Sequence, residues 1–103
     1  MSLLNKNLRR RILEQGTEKN FGHFGSALSC LDAIQYLYDD VLKKEDRFIL
    51  SKGHGFMALC AVLEQQGFNP NWNVHPYLDE ENGVLATTGS LGHGLPIAIG
   101  RAI

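Results

Sequence analysis

The chain has 103 residues, of which 44% are apolar and 20% charged, and a net charge of −1. That length fits one small domain with a modest core and excludes two independent ones. The near-neutral charge excludes an electrostatic footprint for nucleic acid or an anionic membrane surface, and no run approaches the roughly 20 apolar residues of a membrane span.

From the N-terminus, the charges of "MSLLNKNLRRR" follow a short apolar pair, the wrong order for a secretory signal. Leu4, Leu8 and Ile12 recur every four residues and predict a helix to about Gln15, with Gly16 as its stop signal. The run Arg9-Arg10-Arg11 reads as a solvated face of that helix rather than a phosphate patch. A second helix is expected from Ser26, a candidate N-cap, because Leu28, Leu31, Ile34, Leu37 or Tyr38, Val41 and Leu42 keep a 3.6-residue period. Cys30 and Cys60 sit inside apolar helical patterns without CxxC spacing, which points to buried reduced thiols of a cytoplasmic protein.

The stretch "RFIL" (47–50) is short, β-forming and flanked by turn residues, so it predicts a buried strand. "SKGHG" leads to a third helix, Phe56 to about Gln66, ended by Gly67. "NPNWNVHP" favours turns, "ENGV" signals a turn, and "VLA" predicts a second short strand. Pro96 suits the first turn of a final helix. The expected order is α-α-β-α-(β)-α, an α/β layered unit with parallel strands. Two strands do not make a stable sheet. The last helix also carries a small stripe (Gly94, Ala98, Ala102) beside an apolar one (Leu95, Ile99, Ile103), as if neighbours were expected on two sides. The domain therefore reads as incomplete.

Three of the four histidines follow a glycine: His23 in "GHFG", His54 in "KGHG" and His93 in "LGHG"; His75 precedes a proline. Each of the first three falls in a loop at the start of a predicted helix. Glycine lets a ligand approach the backbone closely, and a helix N-terminus offers free N–H groups that suit phosphate. An imidazole there adds a hydrogen-bond donor or a proton carrier near neutral pH. No HxxxH or CxxC spacing supports zinc. "TTGSLGHG" is neither a GxGxxG fingerprint nor a P-loop, and alone it is a weak phosphate signal.

The ordered set "GHFGSALSCLDAIQYLY", "DRFILSKGHGFMALCAVLEQQGF", "HP" and "TTGSLGHGLPIAIGRAI" resembles the N-terminal thiamine-diphosphate-binding domain of transketolases, from about Arg11 to Ile103. It looks more like transketolase than the related deoxyxylulose-phosphate synthases. The resemblance implies that residues 1–103 are the N-terminal portion of such a domain, a layered parallel sheet flanked by helices. By the same resemblance His23 lines the substrate channel and helps proton transfer. His54 contacts the cofactor diphosphate and the substrate, and His75 hydrogen-bonds substrate hydroxyls. Gly89, Ser90 and Leu91 would lie against the cofactor rings, Leu91 packing beneath them.

Three departures bear on these expectations. The segment between Gly67 and His75 is shorter than in the family, and His93 stands where glutamine is common, which suggests a position behind the contacting residues or at the entrance rather than a catalytic one. The GDG…N motif that binds Mg²⁺ and diphosphate, and the glutamate that activates the aminopyrimidine, do not occur in this sequence. The expected role is therefore one piece of an enzyme transferring two-carbon ketol units between sugar phosphates. A partner chain, or self-association, would complete it, with Mg²⁺ bound only alongside the missing segment. The alternatives are a non-catalytic module of the same fold, and a truncated remnant.

Overall fold

The computed structural model of the chain describes residues 3–73, 75–88 and 94–102. It contains four α-helices, α1 (Leu3–Glu18), α2 (Phe24–Tyr36), α3 (Phe56–Gln65) and α4 (Gly94–Ala102), with a π turn at Leu37–Val41 and 3₁₀ turns at Gly53–Gly55 and Glu80–Asn82.

Helix α3 is the centre of the molecule. Every residue from Phe56 to Leu63 is buried, so this helix has no solvent face and must be covered on all sides. Helices α1 and α2 both pack on it and on each other. Their polar pairs fix the directions. Gly16, near the end of α1, lies against Phe24 at the start of α2 and Met57 at the start of α3, whereas Arg11 reaches Glu64 near the end of α3. Helix α1 is therefore antiparallel to α3. Helix α2 runs parallel to α3, from Gly55 against Ser26 and Cys30 at one end to Gln66 bonded to Asp39 at the other. Buried Asn5 joins α1 to α2, donating to Asp32 (2.7 Å) and Gln35 (2.8 Å) and accepting from Arg9 (2.8 Å), which also pairs with Asp32 at 3.1 Å.

Several expectations change in detail. Helix α1 continues through Gly16 to Glu18, because that glycine is buried where a Cβ would run into the Phe24 ring. A mid-helix glycine costs about 1 kcal/mol against alanine, and here it permits close helix contact. Helix α2 starts at Phe24 with His23, not Ser26, at the N-cap; Ser26 instead accepts from the Ser29 hydroxyl through its carbonyl (3.0 Å). The same helix widens into a π turn after Tyr36, closed by Leu42 N–H to Leu37 O at 2.7 Å. Arg9 and Arg11 are engaged between helices rather than forming a purely solvated face. Helix α3 ends as expected, with Gly67 at φ 99° and Phe68 N–H closing back on Leu63 O at 2.9 Å.

Among the described residues there is no strand. Arg47–Leu50 and Val84–Ala86, the two expected strands, join through the Thr88 hydroxyl, which donates to Leu50 O at 2.7 Å, and not through a backbone ladder. Val84 makes only an isolated antiparallel bridge to Asp79 around the expected turn at Gly83. A strand needs a hydrogen-bonded neighbour, and these two segments do not supply one to each other. Helix α4 sets its small face toward residues 45–51. Gly94 is pressed on Ser51, and Ala98 and Ala102 border a cleft of about 620 Å³ with Ile49 and Arg47. Its Leu95 and Ile99 remain 66% and 53% exposed. No helix among the described residues is long and apolar enough to cross a membrane.

The contact between α2 and the start of α3 is tight enough to test. A Cβ on Gly55 would lie 2.7 Å from Cys30 Sγ. Gly55→Ala should lower stability by about 1–3 kcal/mol in urea denaturation, and adding Cys30→Ala should recover most of that loss. Equal midpoints for Gly55→Ala and the unaltered chain would show that the two elements are not in contact.

Candidate functional site

The site lies at the end of the helix bundle where α2 and α3 begin. His23, the residue before α2, adopts φ 65° and ψ 27°, a left-handed conformation uncommon for a residue with a side chain and found more often at functional positions. Its carbonyl starts the helix by accepting from Ala27 N–H at 3.1 Å. His54 sits in the 3₁₀ turn between buried Gly53 and Gly55, immediately before α3. That turn packs on the first turns of α2, which brings His54 to His23. His75 comes from the segment crossing back over α3. Its neighbour Pro76 is fully buried, and a following proline confines His75 to extended backbone.

The three rings meet. The His23 and His54 centroids are 4.6 Å apart at 74°, His54 and His75 are 4.8 Å apart at 89°, and His23 and His75 are 6.0 Å apart at 41°. Sequence separations of 31 and 21 residues are thus closed onto one spot. His75 Nδ1 is buried and has no hydrogen-bond partner among the described residues. A buried bare lone pair is cheaper than a buried orphan N–H, which favours the neutral tautomer with its proton on Nε2. Burial, and then His54 and His23 alongside, hold the His75 pKa below the usual imidazole value. Two imidazolium charges about 5 Å apart repel by roughly 1 kcal/mol even in bulk water, so a proton on His75 is unwelcome.

Gly89, Ser90, Leu91 and His93 lie outside the described residues. Both flanks of that stretch are described, and both reach the segment that leads into the turn bearing His54. Thr88, buried, donates from its hydroxyl to Leu50 O (2.7 Å) and from its N–H to Pro76 O (3.3 Å), and Gly94 packs on Ser51. Thr88 thereby ties together the segments that carry His54 and His75. Sequence reasoning passed over it, although a threonine between an apolar run and a glycine loop is the residue type that satisfies buried carbonyls.

Neutral imidazoles each offer one donor and one acceptor, so the cluster suits a ligand rich in hydroxyl or phosphate oxygens. Among the described residues no group of three or more His, Cys, Asp or Glu side chains is placed to hold a metal ion. Cys30 and Cys60 are both free thiols, and burial raises the pKa of each.

The family described as "Transketolase, thiamine diphosphate binding domain" matches residues 3–103, and the chain belongs to it. One of the subunits of the apulose-4-phosphate transketolase of Phocaeicola vulgatus is 33% identical over 124 aligned positions, covering 100% of this chain and 44% of the relative. SqwG, one of the subunits of the 6-deoxy-6-sulfo-D-fructose transketolase of a Clostridium species, is 32% identical, covering 93% and 42%. Chloroplastic transketolase of Solanum tuberosum is 35% identical, covering 82% and 14%. The chain thus spans less than half the length of these relatives. Since 124 positions align with 103 residues, the Phocaeicola relative carries at least 21 positions that this chain lacks. No solved structure matches the chain significantly.

The depressed pKa of His75 has a definite consequence. The folded state binds its proton less readily than the unfolded chain does, so stability from this group is full above the unfolded value of about 6.5 and is lost as pH falls through the lower folded value. A long-range ¹H–¹⁵N titration should find His75 titrating below the usual range, and His54→Gln should move it upward. A midpoint at or above the usual range, indifferent to His54→Gln, would contradict the clustering.

Proposed function

We propose that this chain supplies half of the coenzyme and substrate pocket of a transketolase-like transferase, which moves two-carbon ketol units between sugar phosphates. The observation that carries the reading is the convergence of His23, His54 and His75, from three separate loops, within 6.0 Å of one another. His54 would face the diphosphate of thiamine diphosphate and the substrate. His75, held neutral with Nε2–H as its donor, would grip a substrate hydroxyl. His23 would take the proton from a hydroxyl whose oxygen becomes a carbonyl, and return one when an acceptor carbonyl becomes a hydroxyl. Gly89, Ser90 and Leu91 would lie against the coenzyme rings; the attachment of Thr88 and Gly94 beside Leu50 and Ser51 supports that placement. When bound, thiamine diphosphate supplies the nucleophilic carbon and electron sink that make cleavage beside a ketone possible.

In this reading a second polypeptide contributes further groups to the pocket. Two of the relatives are named as subunits, which supports a two-chain assembly. The Mg²⁺ that accompanies the diphosphate would be held by residues outside positions 1–103. Arg47–Leu50 and Val84–Ala86 would become strands of a parallel sheet once further strands pair with them. Two free thiols on buried or half-buried positions suit a reducing cytoplasm.

Native mass measurement together with thiamine-diphosphate titration tests the assembly. Tight, Mg²⁺-dependent binding is expected only when a partner chain is present. Stoichiometric metal-dependent binding by this chain alone would place the metal site within it, and a monomer without affinity under any partner condition would favour a non-catalytic module. In the assembled enzyme, His54→Ala should lower turnover by about 10²–10⁴-fold and weaken coenzyme binding. Unchanged turnover and affinity would remove His54 from the site.

A further inference from the structure

The segment that delivers His75 is stapled to the bundle at two successive residues before it reaches the site. Trp72 is buried and donates from Nε1 to Glu64 Oε2 at 2.9 Å. The same carboxylate receives Arg11 of α1 in a fork, Nε to Oε1 at 2.9 Å and Nη2 to Oε2 at 3.2 Å. The Arg11 guanidinium lies 5.5 Å from the Trp72 ring centroid. One residue on, the Asn73 N–H bonds the Cys60 thiol, one turn nearer the start of α3. Glu64 would be drawn up by burial, but the hydrogen bonds from Arg11 and Trp72 outweigh this and hold its pKa below the usual value. All three groups of the cluster therefore satisfy one another.

The chain leaves α3 at its far end and returns to the near end with His75. Trp72 anchors it three residue steps before that imidazole, a reach of at most about 11 Å, so a displacement at Trp72 is passed on to His75. We propose that Arg11, Glu64 and Trp72 are positioning residues, a latch between α1, α3 and the crossing segment that holds His75 against His54. The function of the latch rests on the reading of His75 as a substrate-contacting group; its mechanical part does not. A catalytic imidazole displaced by about 1 Å can cost on the order of 100-fold in rate, so a short crossing with a rigid anchor replaces what a longer, self-packed loop would provide.

The test follows the His75 ring by long-range ¹H–¹⁵N correlation in the full chain and in Glu64→Ala and Trp72→Ala variants, with backbone amides of α1 to α3 as the fold control. The expected result is a His75 ring signal that moves toward that of a solvated imidazole and titrates higher, with the helix amides kept. Should the alanine variants fail to fold, Trp72→Phe and Arg11→Lys, each of which removes part of the hydrogen bonding and keeps the bulk, carry the same readout with smaller displacements. In the assembled enzyme, the same variants should lower kcat by about 10- to 100-fold with coenzyme affinity unchanged. Folded variants whose His75 signal and titration match the unaltered chain overturn the latch, whatever the activity. A His75 response in a protein assembly without transferase activity upholds the latch and instead overturns the reading of function.

Discussion

The constraint on which the rest depends is that α3 has nowhere to meet water. Eight consecutive residues, Phe56 to Leu63, are buried, which on a helix means burial around the full circumference. Two neighbouring helices cannot cover a cylinder, so the remaining sides fall to the crossing segment with Trp72 and Pro76 and to the stretch around Val84. Each cover brings part of the site with it. Helix α2 runs parallel to α3 and starts beside it, so His23 stands next to His54. The crossing segment runs the other way and arrives at the same end with His75. The site is a by-product of enclosing one apolar helix.

The glycines show what the sequence reveals and what it does not. Read one by one, glycines beside histidines suggested room for a ligand, and that is consistent with Gly22 and Gly25, where a Cβ would meet nothing. Gly55 and Gly94 have a different reason. A Cβ there would collide with Cys30 or Ser51, so they serve helix and turn packing. Gly16 looked like the end of a helix and is instead a contact point inside one. No local pattern separates these cases, because the difference lies in what comes close in space. For the same reason the three histidine motifs were legible as candidates, each in a loop before a helix, while their convergence was legible only through family resemblance. The strands were least legible. "RFIL" has the composition of a strand, but a ladder is a property of two segments, and the partner is not encoded in four residues.

The polar pairs follow a similar logic. A run of three arginines on one helix ordinarily faces solvent. Here the 3.6-residue period turns Arg9 toward α2 and Arg11 toward α3, and each finds an acidic partner from a distant stretch. Arg11 is the more consequential of the two, because its carboxylate partner is shared with the Trp72 indole. A single glutamate thus adds a polar link among three parts of the chain that already share the apolar core. Surface ion pairs are worth little singly, but a fork that also accepts an indole N–H adds geometric definition beyond its energy.

The position of the histidines relative to the helices gives the site its electrostatic character. The N-terminal ends of α2 and α3 carry partial positive charge. His75 is disfavoured as a cation by its burial and by the two imidazoles beside it. By itself it is therefore set against taking up a proton. An arriving diphosphate would reverse the balance, since its negative charge suits the helix ends and makes a nearby imidazolium favourable. Binding of such an anion and protonation of His75 would thus be coupled by the same few charges. In the function proposed above, an anion held at these helix ends would oppose the two influences that depress His75, its burial and its imidazole neighbours.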